Sequence, residues 1–137
     1  MFDLLFLISL AIGALAQNAR IGLPEAATSI TAGSKIIVQV QRPNTLTGSQ
    51  EVGVAIGLQS CANSPCHVPK DVMGRILYNG PFKPVYHEYY LPPYENFTVT
   101  VPDFDNGDAV LGVAHVSLVG AGPFPFFEVL NQTVKVE

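Results

Sequence analysis

The sequence contains no tryptophan, only two cysteines and three histidines, and charged residues make up 13% of it. Each scarcity narrows the function. The seven Lys and Arg are scattered singly between Arg20 and Lys135, so no basic stripe exists to neutralise phosphates, and nucleic acid is excluded as a partner. His67, His87 and His115 share no i to i+2 or i+4 spacing, so no pair is preset to hold a metal. No window keeps a helical period, and no apolar run approaches the roughly 20 residues that a membrane helix needs. A Gly-x-Ser-x-Gly element is absent, and no Ser stands beside a His.

What is present is a short apolar leader and then a succession of β-prone stretches. Residues 1–16, MFDLLFLISLAIGALA, have an apolar run from Leu4 to Ile12 and the small-residue pattern Ala14-Leu15-Ala16. This reads as a signal peptide, with a retained anchor as the alternative, and with cleavage after Ala16 or after Ala19. Its removal takes away Asp3 and changes the net charge from −4 to −3. The expected mature product, residues 17–137, is one secreted domain without stable membrane association. In that compartment Cys61 and Cys66, in CANSPC, read as one local disulfide shaping a loop. Asn96-Phe97-Thr98 and Asn131-Gln132-Thr133 are N-glycosylation acceptors.

Taken in order, Ala19–Leu23 is a short first strand, and KIIVQVQR (35–42) sets Ile36, Val38 and Val40 on one face. EVGVAIGLQ (51–59) alternates Val52, Val54, Ile56 and Leu58 with Gly53, Ala55 and Gly57, whose small size lets another layer come close. Arg75–Tyr78 is a brief strand, and Val85–Leu91, boxed by prolines, is an edge strand or extended loop. Phe97, Val99 and Val101 alternate with polar residues. The following Asp103–Asp108 turn, with its Asn-Gly pair, predicts a hairpin onto a doubly buried central strand, Ala109–Val119. Phe126–Val136 closes the chain. The expected fold is all-β, an antiparallel immunoglobulin-like β-sandwich of about seven strands with a core of Ile, Val, Leu and Phe.

The segments ARIGLP (19–24), TAGSKIIVQVQ (31–41), EVGVAIG (51–57), GDAVLGVAHVSLVGAG (107–122) and LNQTVKV (130–136) together resemble the necrosis-inducing secreted proteins of fungi. The resemblance implies an immunoglobulin-like sandwich, no catalytic activity and no cofactor. It implies a secreted fungal effector that binds host proteins such as receptor-associated kinases, perturbs plant immune signalling after reaching the host cytoplasm, and causes cell death as one outcome.

The residues themselves offer three readings. Tyr86, His87, Tyr89, Tyr90 and Tyr94 form a tyrosine-rich edge suited to contact with a partner protein, because each ring brings large area and a polar tip at small entropic cost. The same rings could stack on sugars in a carbohydrate- or cell-wall-binding module. A small metal-dependent enzyme would use Asp103, Asp105, His87 or His115. However, DFDNGD places Gly107 where a calcium loop needs a ligand, and a solvated turn is the simpler reading. A copper oxygenase needs an N-terminal histidine, which neither Gln17 nor Arg20 supplies. His115 is read as a hydrogen-bonded interior or face residue.

Overall fold

The computed structural model describes residues 19–43 and 48–137. Residues 1–16, read above as a signal peptide, and the start of the polar connection at Thr45 lie outside the described residues. Eight strands follow one another: β1 (Arg20–Leu23), β2 (Ser29–Ile30), β3 (Lys35–Gln41), β4 (Ser49–Ser60), β5 (Arg75–Gly80), β6 (Tyr94–Thr100), β7 (Gly107–Val119) and β8 (Phe124–Val136). They form a three-stranded sheet in the order β1-β3-β6 and a five-stranded sheet in the order β2-β8-β7-β4-β5. In the lettering of immunoglobulin domains these orders are A-B-E and A′-G-F-C-C′, which is the expected fold class. Among the described residues no helix is long and apolar enough to cross a membrane.

The sandwich follows from period-two patterning. Val38 and Val40 of β3 and Phe97 and Val99 of β6 turn the apolar face of the smaller sheet towards Ile56 and Leu58 of β4 and Leu111 and Val113 of β7. No cystine or tryptophan bridges the sheets. Aliphatic side chains and Phe82 and Phe97 fill the interior, as the composition requires.

Two expectations change. The hairpin from Tyr94 to Gly120 does not form, because β6 pairs with β3 in one sheet while β7 pairs with β4 and β8 in the other. The segment between them is a crossing. Val101 is fully buried, its N–H donates to Ser34 O at 2.8 Å and its carbonyl accepts from Gly33 N at 2.9 Å. The Asn-Gly signal misled because Gly107 already belongs to β7, so a longer connection has room to change sheets. The strand count also rises to eight, since β2 is two residues long and pairs in parallel with Lys135 and Val136. Two residues are too few for alternation to show.

The outer face of the five-stranded sheet is built in rows. Register sets Phe127 opposite Val116 and Val116 opposite Gly53, then Val129, Ala114 and Ala55, then Asn131, Gly112 and Gly57. The third row is covered by residues 61–74, the segment carrying the Cys61–Cys66 disulfide. A methyl group on Gly112 would meet Pro69 Cβ at 2.6 Å, and one on Gly57 would meet the Met73 carbonyl oxygen at 2.5 Å. The glycines are therefore dents that admit this layer. Gln59 clasps it as well, donating to His67 O at 2.9 Å and accepting from His67 N at 2.8 Å. The first two rows carry no such cover.

Leu111 is fully buried at the middle of β7. Leu111→Ala should lower the unfolding free energy by about 2–5 kcal/mol. Truncation of the exposed Phe124 to Ala should stay within about 0.5 kcal/mol of the parent. Urea denaturation of the two variants at one pH checks both values.

Candidate functional site

A long connection projecting from the sandwich, residues 81–93 between β5 and β6, is pinned at both ends. Tyr78 Oη donates to Pro81 O at 2.6 Å, Phe82 is buried, and Arg42 N donates to Pro93 O at 2.7 Å. Val85 and Tyr94 exchange backbone hydrogen bonds of 3.2 and 3.0 Å, so the segment closes on itself instead of forming the edge strand that was the other expectation. Proline at both ends removes donors a strand would need.

Within this loop the five expected contact residues divide. Tyr94 is 6% exposed, so it is not a contact residue. It is the brace of the loop. Its ring stacks on His87 at 4.1 Å between centroids, and its hydroxyl donates to Glu88 Oε1 at 3.0 Å. Burial first, and then the Glu88 carboxylate, push the Tyr94 phenol above its ordinary value of 10.0. Tyr94 shares the parity of Asn96 and Thr98, the face of β6 opposite to Phe97 and Val99, and it is buried there by the loop that folds over it, which the tyrosine clustering did not reveal. The other rings point outward. Tyr89 is 97% exposed and Tyr90 70% exposed, set edge to face at 5.5 Å and 87°, and Tyr86 and His87 are exposed beside them.

Beneath the loop lies a polar cluster that sequence reasoning did not assemble. His115, fully buried, stands between two carboxylates. Its Nε2–H donates to Glu51 Oε1 at 2.5 Å and its Nδ1–H to Glu128 Oε2 at 2.9 Å. Arg42 Nε donates to Glu51 Oε2 at 2.9 Å, Arg42 Nη2 to Ser49 Oγ at 2.7 Å, and Ala19 N to Glu128 Oε2 at 3.0 Å. Two cations face two anions. Burial alone would lower the His115 pKa, but the hydrogen bonds to Glu128 and Glu51 and their charges outweigh it and raise the group from 6.5 to about 9. Phe82 packs edge-on against the imidazole at 5.5 Å, which couples the base of the tyrosine loop to the cluster. His115 is thus a hydrogen-bonded interior residue, one of the two placements expected of it.

Glu51 reaches this cluster through a β-bulge. Register between β4 and β7 runs from Glu51 opposite Ser117 directly to Gly53 opposite Val116, which leaves Val52 as the extra residue. Val52 turns out and is 56% exposed, contrary to the regular alternation expected of it. Glu51 turns in with Val54, Ile56 and Leu58. A bulge has no signature in binary patterning, and Glu128 becomes visible only once β8 is registered against His115.

The remaining expected residues are separate. Cys61 and Cys66 are disulfide-bonded. Asn96 and Asn131 are both exposed, on β6 and β8. Asp105 accepts from Asn63 Nδ2 at 2.9 Å and ties the crossing segment to the disulfide loop. Among the described residues no group of three or more His, Cys, Asp or Glu is arranged to hold a metal ion. A pocket of about 420 Å³ opens beside Arg42, Glu51, Phe82 and Lys83, at the foot of the tyrosine loop.

The raised His115 pKa has a definite sign in stability. The folded state holds this proton up to about pH 9 while the unfolded chain loses it near 6.5. The contribution is therefore fully present below pH 6.5 and disappears as pH rises through 9, a loss on the order of 3 kcal/mol. Urea midpoints should fall across that window, and His115→Gln should be less stable at pH 6 and flatter from pH 6.5 to 9. A parent protein equally stable at both ends of the window would contradict the charged assignment.

Comparison with curated proteins gives no match. Comparison with family models gives one that matches residues 15–135, all but the last residue of β8, including the tyrosine loop and every member of the buried cluster. The chain belongs to the Nis1 family.

Proposed function

We propose that this protein is a secreted effector that acts by binding a host protein, with the cytoplasmic domain of a receptor-associated kinase as the target class, and that this binding perturbs plant immune signalling with cell death as one outcome. Membership of a fungal effector-like family supports the class of activity. The disulfide is compatible with export. The observation that carries the mode of action is the tyrosine tip. Tyr89 stands almost fully and Tyr90 mostly in solvent on a loop whose base is fixed by Phe82, Tyr94 and the Arg42 backbone. Rings held in this way bring hot-spot area to an interface with little further ordering cost.

The same geometry bears on the carbohydrate reading. A flat polysaccharide surface is met by coplanar rings, whereas Tyr89 and Tyr90 are perpendicular and form a corner. A corner fits a hollow between side chains of a protein. Chemistry at Asp103, Asp105, His87 or His115 has no support in their placement, since the first two lie in an exposed segment, His87 is stacked on Tyr94, and both ring nitrogens of His115 are engaged.

The mature domain immobilised as bait should retain a receptor-associated kinase domain from plant extract. The double variant Tyr89→Ala with Tyr90→Ala should weaken that interaction by at least about tenfold in calorimetry while leaving the thermal midpoint unchanged. Retention on insoluble chitin or glucan, lost in the same variant, would replace the proposal by the wall-binding reading.

A further inference from the structure

The exposed edge of β8 is guarded at its two ends and open between them. Near its C-terminus, Thr133 O accepts from Ala27 N at 2.8 Å and Lys135 N donates to Thr28 O at 2.9 Å, so the odd-numbered residues turn their backbone groups away from β7. At the other end stands Pro125, also odd-numbered, whose missing N–H falls on that same side. Between them Phe127, Val129 and Asn131 direct their N–H and C=O groups to the open side, where no strand of the described residues pairs with them. Their side chains lie on the outer face of the sheet, Phe127 and Val129 in the two rows the disulfide loop leaves uncovered and Asn131 at that loop's margin, and Phe127 is 63% exposed. An open edge beside apolar rows is a template for pairing with a second copy of the chain.

Asn131 sits at the border of this surface and heads the sequon Asn131-Gln132-Thr133. Asn131 and Thr133 are exposed, and they border a hollow of about 210 Å³ whose far wall is His67, Val68 and Pro69 of the disulfide loop. The hollow is on the scale of one sugar ring, with an apolar wall for the C–H face of a pyranose and backbone polar groups along the strand. We infer that Asn131 carries an N-linked oligosaccharide whose first sugar seats against Val68 and Pro69 and whose remainder covers the open edge of β8, keeping the chain from pairing with itself. In the transfer, the Asn131 amide nitrogen forms a bond to C1 of the sugar, the C1–O bond to a polyprenyl diphosphate donor breaks, that diphosphate leaves, and one amide proton is lost to a base. Asn96 differs. It lies within β6, paired with Gln39 of β3, in a row that is polar on both strands. The inference rests on export through a glycosylating compartment.

The full chain is expressed in a eukaryotic secretory host, and the secreted product is examined by peptide mass spectrometry for occupancy at each sequon and by sedimentation velocity for self-association. Asn131 should be occupied and the product monomeric. Thr133→Val, which keeps Asn131 but removes the acceptor, should self-associate at least about tenfold more tightly, whereas Asn96→Gln should remain monomeric. Should Thr133→Val not be secreted, trimming the folded wild-type glycoprotein with an endoglycosidase that leaves one sugar should produce the same association. Occupancy at Asn96 with Asn131 bare would overturn this inference while leaving export intact. Neither sequon occupied in the secreted product would also overturn this inference while leaving export intact, failure of the wild-type chain to be secreted would overturn both, and a monomeric Thr133→Val or trimmed product would overturn the shielding role.

Discussion

A single extra residue in β4, Val52, decides what the interior of this sandwich contains. Side chains alternate along a strand, so the bulge exchanges the faces of everything before it and brings Glu51 inside, where Val52 would otherwise lie. Glu51 then finds His115 and Arg42. With Glu128 and the Ala19 N–H the cluster joins segments flanking β1 and β3 of the small sheet to three adjacent strands of the large one. Immunoglobulin domains often place an inter-sheet disulfide and a tryptophan at the centre. Here aliphatic packing fills the centre and a charged clasp fastens one end.

Such a clasp contributes less to net stability than to choosing one arrangement, because desolvating four charged groups offsets much of their attraction. Removing one partner is another matter. If β4 shifted by one residue against β7 so that Val52 pointed in, the His115 imidazolium would keep only Glu128, and an under-paired buried charge costs about 3–5 kcal/mol. The valine's burial would return about 1.5–3 kcal/mol. The bulged register therefore wins by the difference, although hydrophobic patterning alone would favour the regular one.

How far the sequence could be read follows from the same physics. KIIVQVQR, EVGVAIGLQ and the run from Ala109 to Val119 announced β3, β4 and β7 because apolar residues recur with a period of two, and small residues at Gly57 foretold a close layer on the outer face. Cys61 and Cys66 were legible from spacing, and His115 from its position in a buried strand. Sheet membership was not legible. The Asp103–Asp108 segment looks like a reversal, yet whether it returns to the same sheet depends on which faces must meet across the core. The charged cluster was hidden for a related reason: Arg42, Glu51, His115 and Glu128 are far apart in sequence and are brought together by register and by a bulge, neither of which leaves a local signature. Tyrosine content located the projecting loop, but composition could not separate the buried brace, Tyr94, from the exposed tip.

That separation links the interior to the surface. Phe82 begins the loop and lies edge-on to His115, while Arg42 holds the end of the loop through its backbone and Glu51 through its side chain. The charged clasp is thus also the footing of the loop. A loop of this length left free would lose much of its conformational entropy on meeting a partner, with each immobilised side chain adding about 0.5–1.5 kcal/mol. Anchoring both ends to the least yielding part of the fold, and stacking His87 on Tyr94 halfway out, places that ordering cost in folding instead of in binding. The bulge at Val52 is therefore a condition for presenting Tyr89 and Tyr90 in one fixed orientation: without Glu51 inside, Arg42 loses its carboxylate and the loop loses its footing.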